Sequence, residues 1–214
     1  MLLTLLQTDP VAFLLLAAAL LEAIALHEFA HALVADLQGD RLPRAMGRLT
    51  LNPIRHLDPL GTIFLVLLGF GWGRPVEFRP QALSSRRFGA ALVAFAGPAM
   101  NLLLSVAAGL GLMVVGPRLC PQGPLYGGGT PIQTFLLSFM WVNAVLAIFN
   151  LLPIPPLDGS RLLTLFLPSS KQGVIFFLDR WGMLILIGFL FFGSALLYPI
   201  IDFALRSVCS VVGL

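Results

Sequence analysis

The sequence contains very little charge for its length. Only 11% of its 214 residues are Asp, Glu, Lys or Arg, whereas 58% are hydrophobic and the mean hydropathy is +0.94. A soluble domain of this length needs much more polar surface to cover its core, so the composition excludes that class of protein. We therefore predict an all-α polytopic membrane protein that has the lipid bilayer as a partner.

Cysteines, basic clusters and internal divisions are also scarce. Cys120 and Cys209 have no metal-ligand spacing, and we interpret them as ordinary residues, with a disulfide as the alternative if both face an oxidising compartment. The net charge is only +3 and the basic residues are not clustered with aromatics, which argues against nucleic-acid binding. No repeat or linker divides the chain, so we predict one domain, residues 1–214.

Long apolar runs predict about four transmembrane helices, since about 20 apolar residues cross a bilayer. The predicted spans are residues 11–37, 88–115, 131–152 and a stretch from about residue 181 onward, whose middle we expect to be free of polar residues. The N-terminus lacks signal-peptide features, so we expect the first run to remain as a membrane helix. Residues 60–72 are apolar but too few to span comfortably, and we interpret them as a short re-entrant or membrane-associated segment with a small β-hairpin beside it.

The distribution of basic residues predicts the orientation in the membrane. Eleven of them fall on one side of this topology and two, Arg118 and Arg206, on the other. The side with the excess is expected to be cytoplasmic, which places the N-terminus outside. The eleven are Arg41, Arg44, Arg48, Arg55, Arg74, Arg79, Arg86, Arg87, Arg161, Lys171 and Arg180.

Two of the three histidines stand in the sequence HEFAH within the first predicted span. Four residues advance a helix by about 400°, so His27 and His31 lie on one face and can reach one metal ion. Glu28 lies about 100° from His27, where its carboxylate can take a proton from an attacking water. Two core histidines beside a chance glutamate are the alternative, but ionisable groups in a membrane helix usually mark function.

Catalytic zinc needs a third protein ligand and an open position. Asp158 is the best candidate, because it follows the third predicted span where prolines break the helix and Gly159 permits a sharp turn. Alternatively, Asp158 caps the short helix that follows it. His56 could also join the metal, but it lies in a proline-bounded loop, which favours a structural, hydrogen-bonded role.

The motif HExxH in a membrane helix, followed by NxxPxxPLDG in a later one, resembles the site-2 protease family of intramembrane zinc metalloproteases. In this chain the second motif is NLLPIPPLDG at residues 150–159. Three further stretches resemble bacterial members, and the similarity extends over about residues 20–165. They are GRLTLNPIRHLDPLGT at 47–62, GWGRPVEF at 71–78 and AGPAMN at 96–101.

The resemblance implies that His27, His31 and Asp158 bind one zinc ion per chain and that Glu28 is the catalytic base. Asn150 matches the family asparagine that helps to hold the substrate or the developing oxyanion. The implied activity is hydrolysis of peptide bonds within or near transmembrane segments of membrane-tethered regulatory proteins. We expect a bacterial cytoplasmic membrane location, with the active site nearer the cytoplasmic side, and no PDZ or nucleotide-sensing domain.

Two other functions remain open at the level of the sequence. A metal transporter or channel would also place buried acids and histidines in a membrane, although such paths usually stagger polar groups along several helices. A protease-like protein could instead bind membrane segments without cutting them. Zinc itself is inferred from the ligand types, and another divalent ion could occupy such a site in vitro.

Overall fold

The computed structural model describes residues 2–68, 71–116, 119–124, 129–167 and 172–214, and these are mostly helical. Arg118 and Lys171, which enter the charge count above, lie outside the described residues. Short 3₁₀ helices cover Pro53–Arg55 and Pro80–Ala82. The α-helices are α1 (Leu2–Thr8), α2 (Pro10–Leu37), α3 (Leu42–Ala45), α4 (Pro59–Leu68), α5 (Arg86–Val115), α6 (Pro131–Asn150), α7 (Asp158–Phe166), α8 (Gln172–Phe192) and α9 (Ser194–Val212).

Helices α2, α5 and α6 form the central bundle. Asn101 in the middle of α5 donates to Ala23 O in the middle of α2. Gln38, just after the end of α2, donates to Gly89 O near the start of α5. Helices α2 and α5 are therefore antiparallel. Ser105 ties α5 to the main chain of α6. Small residues along these contacts let membrane helices approach closely, with polar groups satisfied between them.

Within the described residues, four helices are long and apolar enough to cross a membrane. Three of them, α2, α5 and α6, agree with the predicted spans to within two residues. The fourth candidate lies in α9, whereas the predicted fourth span starts near Trp181 in α8; the two helices are separated by a break at Gly193, a weak helix former. Asp202 and Arg206 form an ion pair within α9.

The short apolar segment folds back on itself. Helix α4 has 10 residues, about 15 Å in length, which is too short for a hydrocarbon core of about 30 Å. A Cβ atom on Gly61 would collide with Trp72 O, and one on Gly71 would collide with Gly61 O, so the chain returns along α4. Residues 69 and 70 lie outside the described part, and the described residues around them agree with the re-entrant interpretation.

The predicted β-hairpin is wrong for the described residues, which contain no sheet. One isolated bridge pairs Leu57 with Gly73, and residues 71–79 otherwise run as a single extended segment. The loop that would supply the partner strand is too short, because Pro53 begins a 3₁₀ helix and Pro59 begins α4. The extended segment therefore has no partner strand, and its main chain bonds to loops and side chains instead, as from Arg74 N to His56 O and from Val76 N to Glu28.

Ion pairs hold the loops at the end of α2. Asp36 binds Arg41 and Arg44, and Asp40 binds the Arg79 guanidinium at 2.8 Å. Burial alone would raise the pKa of Asp40, but hydrogen bonds from the Arg79 main chain and side chain outweigh it and hold this pKa below its usual value. These ion pairs thus bind the basic loops to the end of the bundle at which α2 ends.

Cys120 and Cys209 form a disulfide, so their interpretation as ordinary residues is wrong. The bond joins the segment after α5 to α9, beside a core cluster that includes Leu112, Met140 and Val208. Packing of α9 on α5 and α6 brings the two Cα atoms to 5.8 Å, within the range that a disulfide requires. This end of the bundle is opposite to the end that carries the basic loops.

Candidate active site

Helix α2 places the two HEFAH imidazoles on one buried face. His27 and His31 are 7% and 6% exposed, and their Nε2 atoms lie 3.0 Å apart. The ring planes are nearly perpendicular, and the short distance between the two Nε2 atoms shows that both approach a common position. This arrangement follows from the spacing of four residues on a helix.

Asp158 is the first residue of α7, and its side chain reaches the same position. Its Oδ2 atom lies 3.1 Å from His27 Nε2 and 3.2 Å from His31 Nε2. The prolines of residues 153–156 end the preceding helix, and Gly159 packs so closely on the main chain of Leu151 and Leu152 that a Cβ atom would collide there. The broken backbone thereby turns Asp158 back into the bundle.

The three side chains fit a tetrahedral zinc ion. Ligand atoms bound to tetrahedral zinc at 2.0–2.1 Å are about 3.3 Å from one another, close to the three separations found here. Asp158 Oδ2 is buried without a hydrogen-bond donor, as expected for an atom reserved for a cation. Among the described residues, these are the ones that form a group able to hold a metal ion.

Each histidine is oriented by a hydrogen bond to its other ring nitrogen. His31 Nδ1 lies 2.7 Å from Val93 O, and His27 Nδ1 lies 2.5 Å from Asn101 Oδ1. Because these oxygens accept, both Nδ1 atoms carry the proton and leave the Nε2 lone pairs free. Both imidazoles are therefore in the tautomer that a metal requires.

Asn101 contacts a candidate ligand, a role that the sequence did not predict. Its amide nitrogen donates to Ala23 O and, at 2.7 Å, to Asn143 Oδ1, while Asn143 donates to Phe139 O. These bonds fix which way the Asn101 amide faces and hence the orientation of His27. A polar residue inside a predicted span was the available signal.

Gly97 faces the two imidazoles across the α2–α5 contact. A Cβ atom there would lie 2.5 Å from His31 Nε2 and 2.6 Å from His27 Nε2. Such contacts are far inside van der Waals separation, and the obstacle would be a pair of buried rings. The candidate metal site therefore needs glycine at this position.

We expect Gly97→Ala to lower zinc affinity about tenfold or more, because the new methyl group displaces both imidazoles. Zinc content and competition with a chelator measure this effect in the purified protein. Gly188→Ala is the matched control, since a Cβ atom at Gly188 meets open space. Wild-type affinity in Gly97→Ala would show that the site lies elsewhere.

Glu28 lies beside this group without joining it. The side chain is half-buried, and Oε2 accepts a hydrogen bond of 3.0 Å from Val76 N in the extended segment. Gly73 lies next to the other carboxylate oxygen. The carboxylate is thus positioned between the candidate metal ligands and residues 71–79.

The remaining predicted site residues, Asn150 and His56, make side-chain hydrogen bonds within their own helix or loop. Asn150 is the last residue of α6, and its amide nitrogen donates to Leu146 O in the same helix. His56 is fully buried, with Nε2 2.8 Å from Thr50 O, and its main-chain oxygen accepts from Arg74 N. His56 thus holds the loop together, as its structural interpretation predicted.

Several curated bacterial proteins are similar to this chain over most of its length. YwhC of Bacillus subtilis is 36% identical over 185 residues, which cover 86% of this chain and 84% of YwhC. Rip2 of Mycolicibacterium smegmatis is 33% identical over 181 residues, covering 82% of this chain and 66% of Rip2. Both carry the provisional name of zinc metalloprotease.

The match to a family model covers most of the chain. Residues 15–126 and 123–192 match the model described as Peptidase family M50. No solved structure matches the chain. Apolar spans and family together indicate an integral membrane protein. The chain belongs to peptidase family M50, whose members are metalloproteases that use zinc.

Proposed function

We propose that this chain is an intramembrane zinc metalloendopeptidase. It hydrolyses peptide bonds within or near transmembrane segments of membrane-tethered regulatory proteins, which is regulated intramembrane proteolysis. The observation that carries the proposal is the convergence of His27 Nε2, His31 Nε2 and Asp158 Oδ2 inside an apolar bundle, with Glu28 beside them. The whole chain, residues 1–214, acts as one membrane-embedded domain.

His27, His31 and Asp158 would hold the zinc ion. Zinc, when bound, lowers the pKa of a water molecule and polarises the carbonyl group of the scissile peptide. Glu28 takes the proton of the attacking water and returns it to the leaving amine. The hydrogen bond from Val76 N keeps the Glu28 carboxylate beside the site between these two transfers.

Asn150 is proposed to hold the substrate or the developing oxyanion. Its amide stands at the end of α6, between the bundle and the turn that carries Asp158. One N–H group of this amide donates to Leu146 O, and the second N–H group is the donor proposed for a substrate oxygen. One charge-assisted hydrogen bond of this kind stabilises a developing negative charge.

A transmembrane helix hides its carbonyl groups in hydrogen bonds, so the substrate must unwind before it is cut. Residues 71–79 offer it an extended partner close to Glu28. In the described part of the chain, the backbone N–H groups of Glu77 and Phe78 have no hydrogen-bond acceptor. An unwound substrate can pair with this backbone by strand addition.

Glu77→Pro removes one of these free N–H groups and is expected to reduce cleavage while leaving zinc content unchanged. We expect a loss of about tenfold, since one main-chain hydrogen bond to the substrate contributes about 1.5 kcal/mol. Glu77→Ala is the matched control, because it removes the carboxylate but keeps the N–H group. Full cleavage by Glu77→Pro would exclude strand addition at this position.

We place the protein in a bacterial cytoplasmic membrane, with the active site nearer the cytoplasmic side. His31 lies six residues, about 9 Å, from the end of α2 at Leu37, where the basic loops are attached. An excess of basic residues favours the cytoplasmic side. The disulfide at the other end suits the oxidising side of such a membrane.

The test of the proposed function is cleavage of single-span membrane proteins by the purified chain in detergent. We expect products to appear with the zinc-loaded protein, to stop when a chelator removes zinc, and to return when zinc is restored. A folded, zinc-loaded protein that cuts none of a broad panel would contradict the proposal.

A further inference from the structure

Arg48 is a buried arginine whose partners are main-chain carbonyl groups. It follows Gly47, where a positive φ of 68° turns the chain, and it is only 4% exposed. Its guanidinium donates to Arg55 O, Arg74 O and Pro75 O, the last at 2.8 Å. One side chain thus joins the loop of residues 48–56 to the extended segment of residues 71–79.

The positive charge of this guanidinium is balanced by carboxylates that lie beyond ion-pair distance. No carboxylate of the described residues lies within ion-pair distance of Arg48, and the acids whose charge favours its protonated form are Glu28 and Glu77. Burial lowers the pKa of Arg48, but arginine stays charged at any physiological pH. Removing a charge from water is costly, so a guanidinium kept here points to a role beyond filling space.

Arg48 and Glu28 hold consecutive residues of the same extended segment. Arg48 binds the carbonyl of Pro75, and the next residue, Val76, donates its N–H to Glu28. Further along, Arg79 is bound to Asp40. The position of the segment along its own axis is therefore fixed next to the proposed base.

We propose that Arg48 is a positioning residue that sets the register of residues 71–79 against Glu28. A substrate paired with this segment then presents one defined peptide bond to the metal site. This inference rests on the proposed function. The register matters for the cleavage rate, because a displacement of the scissile peptide by about 1 Å can lower turnover about 100-fold.

The experiment compares Arg48→Lys and Arg48→Gln with the wild type and with Arg55→Gln. The lysine variant keeps the charge but cannot bridge three carbonyl groups. It also provides the test if the glutamine variant does not fold. Arg55 is the control because it is exposed and in the same loop. Zinc content, hydrogen exchange of residues 71–79 and the masses of the cleavage products are measured.

We expect both Arg48 variants to keep zinc, to exchange amide hydrogens in residues 71–79 about tenfold faster, and to cut at several neighbouring bonds instead of one. The rate per zinc-loaded molecule should fall about 10- to 100-fold. Wild-type exchange together with a single, unchanged cut would overturn the proposal. A merely structural role would lower the folded fraction without moving the cut, which also overturns it.

Failure of the proposed function is distinguishable from failure of this inference. If the wild type cuts nothing, the proposed function fails, and hydrogen exchange still decides whether Arg48 holds the segment. Faster exchange in Arg48→Lys than in Arg55→Gln supports that role, and equal exchange removes it.

Discussion

Replacing Glu28 with Gln gives a folded, zinc-loaded protein that cleaves its substrate about 10²- to 10⁴-fold more slowly, the contribution typical of a general base. The amide has nearly the shape of the carboxylate, and its oxygen can still accept the hydrogen bond from Val76 N. It cannot take a proton at neutral pH, because an amide is not basic. Cleavage rate per bound zinc is the measurement that checks this expectation.

The control for this variant is Glu22→Gln. Glu22 lies on the same helix but is exposed, away from the candidate ligands. It should cut at the wild-type rate. If Glu28→Gln cuts as fast as this control while zinc is retained, another group must be the base, and the assignment of Glu28 is wrong.

Asp158→Ala is expected to lose zinc and, with it, all cleavage. Two imidazoles would remain, and a catalytic zinc site needs three protein ligands. Removing a residue that only hydrogen-bonds to a metal ligand typically lowers affinity about 10- to 100-fold. Because Asp158 is itself a proposed ligand, its removal should lower zinc affinity by more than this. Zinc content after gel filtration and chelator competition give the result directly.

A second aspartate serves as the control for Asp158. Asp179→Ala removes an exposed carboxylate on α8 and should leave zinc binding unchanged. Asp158→Ala could also loosen the turn at the start of α7, so its thermal stability is compared in the zinc-free state. Wild-type zinc affinity in Asp158→Ala would mean that the third ligand comes from elsewhere.

The sequence predicted those features that depend on local pattern. Hydropathy placed α2, α5 and α6, because a bilayer imposes a length on each span. The spacing of His27 and His31 predicted two imidazoles on one face, because a helix repeats every 3.6 residues. The broken helix before Asp158 was readable from its prolines. The roles of these residues as metal ligands stay predictions.

Features that depend on how helices pack were not predictable from the sequence. The contacts of Val93 O and Asn101 with the histidines follow from the register of α5 against α2. The disulfide depends on where α9 packs, which hydropathy does not reveal. The expected hairpin failed for a different reason, since proline-induced helical turns left the extended segment without a partner strand.

The central claim is that this zinc site cuts peptide bonds inside a membrane. Its most direct test is to reconstitute the zinc-loaded chain in liposomes with a panel of single-span membrane proteins and to map every product by mass. We expect zinc-dependent cuts within or near the transmembrane segments, and none with Glu28→Gln. Intact substrates in the presence of folded, zinc-loaded wild type, together with zinc flux across the bilayer, would contradict it and favour a transporter.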